Sequence, residues 1–129
     1  MSNQQERAMF THSCLGTNDV EKSRAFYTAV MGALGYSATP LPNATVFPSE
    51  TGSLIICKPA NGEPHTVSNG HTLGFAARDS VQVDAFHVAG LAHGGSDEGA
   101  PGIRPNGKYG AYLRDPDGNK ICAFAPGAG

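Results

Sequence analysis

Five histidines, three cysteines and a handful of charged side chains equip this chain for chemistry, and a repeat places two of the histidines. His12 and His71 stand 59 residues apart. The stretch Ala25-Phe26-Tyr27-Thr28-Ala29 through Gly35 matches Ala85-Phe86-His87-Val88-Ala89 through Gly95 at Ala, Phe, Ala and Gly with a constant spacing of 60. A duplicated unit would carry one imidazole near the start of each copy. Neutral imidazole suits zinc, nickel, cobalt or iron, and serves equally as a hydrogen-bonded packing residue. His65, His87 and His93 have no partner spacing and read as structural or solvent-facing. Arg104 offers a planar fork that matches a carboxylate, with surface pairing to Asp97 or Glu98 as its competing role. The glycine-rich segment 94–105 around it follows a helix and lacks a lysine-threonine signature. It therefore reads as a cover over a cavity and not as a phosphate loop.

The elements that must position these residues recur twice in one order. Residues 10–16 form a strand on which Cys14 shares a face with His12, because side chains alternate. Asn18 caps a helix with Glu21 three positions on. Val20, Ser23, Tyr27, Val30 and Leu34 make its inward stripe, and Gly35 stops it. In the second copy, residues 73–77 are the strand, Ser80 is the cap, Val83, Phe86, Gly90 and Leu91 face the core, and Gly94 with Gly95 closes the helix. Extended segments follow each helix, around 45–47 and 53–58, then 110–114 and 120–124. Asp115-Pro116-Asp117-Gly118-Asn119 reads as a tight hairpin, with Pro fixing φ and Gly absorbing positive φ. Residues 59–70, with Gly62, Pro64, Asn69 and Gly70, join the copies. The expectation is one α+β domain over 1–129: module one about 8–60, linker about 61–69, module two about 70–126.

At 129 residues a single domain is expected. A formal net charge of -2 leaves no electrostatic footprint for nucleic acid or an anionic membrane, and favours neutral or mildly charged small molecules as partners. The polar start at 1–7 lacks the apolar core of a signal peptide, and no run approaches ~20 apolar residues, so a soluble cytoplasmic protein is expected. Three cysteines, an odd number, argue for reduced thiols over a disulfide framework. Phe47, Phe75, Tyr109 and Tyr112 lie on or beside strands and supply aromatic surface suited to either a cavity wall or the core. Tyr112, on the strand paired with Cys122, is favoured as facing ligand.

The run from Thr11 through Tyr27, with its His, Asp, Phe-Tyr and later Leu-Gly landmarks, resembles the opening of vicinal oxygen chelate proteins, the glyoxalase, bleomycin-resistance and extradiol dioxygenase superfamily. Gly70-His71 followed by Leu73-Gly74-Phe75-Ala76 is similar to the strand that opens the family's second module, and Asp115 through Ile121 to its closing hairpin. The resemblance implies two βαβββ modules whose curved sheets form an open barrel around a cavity, in a homodimer whose partner often contributes to that cavity.

It also implies four metal-ligand positions. His12 and His71 match two of them. The other two depart: Ile56 stands where the first glutamate falls, and Cys122 where the second does. A thiolate binds zinc at ~2.3 Å but on a shorter side chain than glutamate's. The carboxylates of both the glyoxalase and the dioxygenase reactions are therefore missing, and Glu98 is the candidate to supply acid or base function in their place. Three readings stay open. The first is a small-molecule binder with a reduced metal site, in which Arg104, Tyr112, Phe47 and Phe75 contact the ligand. The second is a lyase, isomerase or dioxygenase-type enzyme holding one divalent metal (zinc, nickel, cobalt or iron) on His12 and His71 with Cys122, water or Glu98. The third is a cofactor-free dimeric sequestering domain.

Overall fold

The computed structural model describes residues 9–126, so the polar stretch at 1–7 lies outside the described residues. The order is β1 (His12–Gly16), α1 (Val20–Ala33), β2 (Thr39–Leu41), β3 (Ala44–Phe47), β4 (Ser53–Cys57), then β5 (Leu73–Ala76), α2 (Ser80–Ala92), β6 (Ser96–Ile103), β7 (Tyr109–Arg114) and β8 (Lys120–Ala125). Each half is a βαβββ module with one four-stranded sheet, ordered β1-β4-β3-β2 and β5-β8-β7-β6. The opening strand of each module runs parallel to the last one, while the other pairings are antiparallel. The two sheets are open and do not close into a barrel.

The helix starts fall one residue from the sequence expectation. Asp19, not Asn18, caps α1 by accepting from the Lys22 N–H, and Asp79, not Ser80, caps α2 by accepting from the Gln82 N–H. In both, the aspartate's extended φ and short carboxylate satisfy an amide that the helix leaves without a partner. Gly35 (φ 98°) ends α1 in the left-handed region, with the Tyr36 N–H reaching back to the Met31 carbonyl. Gly94 (φ 98°) is its counterpart after α2.

One face of each sheet is covered by its helix. Phe26, Tyr27, Val30 and Met31 from α1 meet Leu15, Phe47, Leu54 and Ile56, while Val83 and Phe86 from α2 meet Ala111, Leu113, Ile121 and Ala123, all in one buried cluster. The repeat is thus visible in the core, where Phe26 and Phe86 occupy corresponding positions at 0% exposure. Leu91 departs from the expectation and is 46% exposed. The α2 backbone instead comes against the sheet at Gly90, where a methyl group would collide with Leu113, and the buried stripe continues through His87. Two strands escaped the sequence reading. β2 has only three exposed residues, and β6 is the glycine-rich segment taken for a cover. β6 pairs irregularly with β7, with register shifts between Asp97 and Gly99 and between Gly99 and Gly102. Such bulged, glycine-bearing edges lack the alternation by which strands are recognised.

Candidate ligand-binding site

The β7–β8 hairpin and the linker between the modules are pinned together by a polar network. Asp115 is buried, and its Oδ1 accepts from the Asp117 and Asn119 N–H groups at 2.9 Å each. Its Oδ2 accepts from Asn119 Nδ2 at 2.9 Å and from the Tyr27 hydroxyl. Burial first, and then the Asp115 carboxylate, hold the Tyr27 phenol well above its ordinary pKa. Asp117 reaches back to module one, accepting from Thr17 Oγ1 at 2.6 Å and from the Asn18 N–H at 2.9 Å. The linker joins in through His65. Its N–H donates to Asn18 Oδ1 at 2.6 Å, and its ring Nε2 lies 3.0 Å from Asn119 Oδ1. The His65 ring covers Gly16, where a methyl group would strike it. The sequence reading missed His65; the only signal was a turn carrying two aspartates and an asparagine, more hydrogen-bonding groups than a turn needs.

Direct cross-strand partners project from the same face, so the register sorts side chains into a helix-covered face and an open face. In the first sheet Cys14 is paired with Ile55, and His12 with Ser53. Ile56 corrects the sequence expectation: it is 1% exposed, packs in the core under α1, and does not share the face of His12 and Cys14. Ile55 does, because a shift of one residue along a strand reverses which face a side chain takes. The Cys57 thiol, beside Cys14, is raised in pKa by its burial and then by that neighbour.

In the second sheet Gly99, Tyr112, Cys122 and Gly74 form one cross-strand row. A methyl group on Gly74 would sit 3.2 Å from Cys122 Sγ, which places that sulfur on the open face. Burial raises the Cys122 pKa, partly offset by Lys120. Tyr112 packs edge-on against Phe124 and lies beneath two cations, with the Arg104 guanidinium carbon 5.5 Å and Lys120 Nζ 5.1 Å from its ring centre. Arg114 and Lys120 are themselves cross-strand partners.

Besides a cavity of about 400 Å³ against Gly74, Phe75 and Phe124, three cavities adjoin these faces. One of about 470 Å³ is lined by residues 67–72 of the linker region together with Arg114 and Lys120. A second, of about 220 Å³, is lined by Cys14, Gly16, His65, Asn119, Lys120 and neighbours, and shares Val67, Ser68, His71 and Lys120 with the first. The third, about 210 Å³, is apolar and lies between the modules against Phe10, Met31, Phe47, Leu54, Leu73 and Phe75, with His12 at its rim. His71 lines the first two and His12 the third, so none of the three holds both imidazoles. The caps explain the mismatch: seven residues separate His12 from Asp19, while eight separate His71 from Asp79, which leaves the two histidines out of phase.

The remaining candidates are placed as follows. Glu98 lies on β6 and pairs with Arg114 at 3.3 Å. Arg104 donates to the Ala100 carbonyl, not to Asp97 or Glu98, and its Nε is buried without a hydrogen-bond partner. Phe75 packs edge-on against Phe86. His87, read as structural or solvent-facing, is buried, and its Nε2 meets Asp97 Oδ1 at 2.8 Å.

This architecture has known relatives. Residues 9–123 match the family profile of the Glyoxalase/Bleomycin resistance protein/Dioxygenase superfamily. The chain belongs to this superfamily, the vicinal oxygen chelate fold. A crystal structure of a glyoxalase/bleomycin resistance protein from Albidiferax ferrireducens T118 shares 48% identity at a TM-score of 0.87, covering 92% of this chain and 98% of that one. A putative glyoxalase from Bacillus halodurans (20% identity, TM-score 0.76, covering 96% and 100%) and a lactoylglutathione lyase from Agrobacterium tumefaciens (23%, 0.65, covering 90% and 92%) share the fold. No curated protein matches the chain.

Glyoxalase-superfamily proteins commonly hold a divalent metal, and the donors here can be tested against one. Among the described residues, no group of three or more His, Cys, Asp or Glu side chains is arranged to hold a metal ion. Ile55 contributes only hydrocarbon to the open face, and His12 and His71 line different cavities, so the two imidazoles and Cys122 do not converge on one point. The residues present do not fit a four-ligand centre. No helix among the described residues is long and apolar enough to cross a membrane.

Proposed function

We propose that this glyoxalase-superfamily protein binds a small organic molecule in the hollow beneath the linker, held by side chains of both modules and without a four-ligand metal centre. The observation that carries this reading is the pair of adjoining cavities lined by Cys14 and Gly16 of β1, by Lys120 of β8, and by His65, Ser68 and His71 from the connecting segment. A volume of about 470 Å³ lies within the range of small-molecule sites, which runs from ~300 to ~1,000 Å³. Lys120, which lines both cavities, lies against the Tyr112 ring with its Nζ 5.1 Å from the ring centre, so Tyr112 positions the cation of the wall.

Binding to the folded state alone raises stability, by about 2.7 kcal/mol at a concentration 100 times Kd. The test is a thermal-shift screen of small aromatic and aliphatic compounds against the wild type and a Ser68→Phe variant that retains its fold, because Ser68 lines both cavities and a larger side chain there fills them. Compounds that raise the melting temperature of the wild type and lose that effect in Ser68→Phe support the reading. If no compound shifts the wild type, or every shift survives in the variant, the hollow is not the binding site.

A further inference from the structure

We infer that the ligand of this hollow is an anion, a small organic carboxylate or phosphate, with Lys120 as its charged anchor; this rests on the proposed binding function. The protein as a whole is acidic, with 11 Asp and Glu against 9 Lys and Arg. The two cavities under the linker are nevertheless lined by Arg114, Lys120, His65 and His71 and by no carboxylate. A cleft walled by one sign of charge focuses its field on an incoming ion of the opposite sign, whatever the net charge outside.

Arg114 and Lys120 stand directly opposite each other on β7 and β8, and like charges so placed repel. Arg114 is neutralised locally, because its Nε meets Glu98 and its Nη1 donates to the Gly118 carbonyl. Lys120 has no such relief. The ion pairs among the described residues are Arg24–Glu21, Arg78–Asp79, His87–Asp97 and Arg114–Glu98, which leaves its ammonium with the Tyr112 ring face for company. Hydroxyl and amide donors of Ser68, Asn69 and Thr72 line the same cavity, and among the described residues none of these side chains is engaged in a hydrogen bond with the protein. A free ammonium, an imidazole and three uncommitted donors around one space suit an oxyanion. Val67, which lines both cavities, meets the apolar remainder of the molecule.

The experiment compares charged and neutral near-isosteres on the full chain. Phenylacetate and phenyl phosphate are titrated beside phenylacetamide by calorimetry, with wild type, Lys120→Gln and Lys120→Arg. The expected result is that both anions bind at least about tenfold more tightly than the amide. Lys120→Gln should remove that preference and Lys120→Arg should keep it. Anion binding should also weaken from about 0.01 M to about 1 M salt, over which the Debye length falls from about 30 to about 3 Å. Equal binding of acid and amide, unaffected by Lys120→Gln, overturns the anion inference while leaving the binding function standing. Failure of all three probes at millimolar concentration in the folded wild type overturns both. A preference retained in Lys120→Gln removes Lys120 as the anchor and overturns the assignment.

Discussion

Replacing Asp115 should be among the most damaging single changes in the chain. Its buried carboxylate accepts four hydrogen bonds, from two backbone amides, the Asn119 side chain and the Tyr27 hydroxyl. Alanine leaves those donors facing one another, with the Tyr27 hydroxyl and the Asn119 amide deepest inside. A buried donor left without a partner costs about 1–3 kcal/mol, so two give about 2–6 kcal/mol, and about 2–4 kcal/mol once relaxation and the remaining bond from Asn119 Nδ2 to the Gly16 carbonyl are allowed for. For a domain of 129 residues, 1 kcal/mol moves the melting temperature by about 4 °C, so Asp115→Ala should melt about 8–16 °C below wild type. Asp115→Asn keeps one accepting oxygen and should lose about half as much. Circular dichroism melts together with guanidinium titrations measure both. A loss under about 1 kcal/mol for Asp115→Ala would show that the hairpin does not depend on this network and that the joint between the modules has been misassigned.

Two further outcomes follow from named contacts. Installing ligands at the positions on the open faces of the two sheets, Ile55→Glu with Cys122→Glu, should raise zinc or nickel affinity measured by calorimetry, whereas Ile56→Glu should instead bury an unpaired carboxylate under α1 and destabilise by about 3 kcal/mol or more. Higher metal affinity from Ile56→Glu would reverse the assignment of faces. The Asp97 carboxyl is held below its ordinary value of 3.8 by the hydrogen bond from His87 and then by the Gly99 N–H. Its folded pKa lies below the unfolded one, so its stabilisation is present above that ordinary value and disappears as pH falls through the folded value. Melting temperatures of wild type and Asp97→Asn should therefore differ at neutral pH and converge in strong acid; a gap that stays constant with pH contradicts this.

The fold was legible because duplication, caps and turn chemistry all agree. Phe26 and Phe86 mark the same core position, Gly35 and Gly94 stop both helices, and Asp115 through Asn119 turns the closing hairpin. Several errors come from registers of one residue. Asn18 and Asp19 are both good caps, so the choice between them depends on Asn18 being engaged by the linker and by Asp117, contacts that span 47 and 99 residues. Ile55 and Ile56 are chemically identical, and only the pairing with β1 decides which one faces the helix. The site was less legible still. Net charge, which favoured neutral or mildly charged partners, carries no information on where charges gather, and the cations of Arg114 and Lys120 converge only when β7 pairs with β8. His65 lies in a segment with no periodicity, and its place on the wall depends on Asn18 and Asn119 holding it there.

The most direct test of the binding hollow is an amide-resolved NMR titration of the full chain with phenyl phosphate. Shifts concentrated at residues 66–72, Arg114 and Lys120, saturating together with one Kd, are the expected result. Shifts confined to the apolar cavity of Met31, Phe47, Leu54 and Phe75, or no saturable shifts at all, would contradict it.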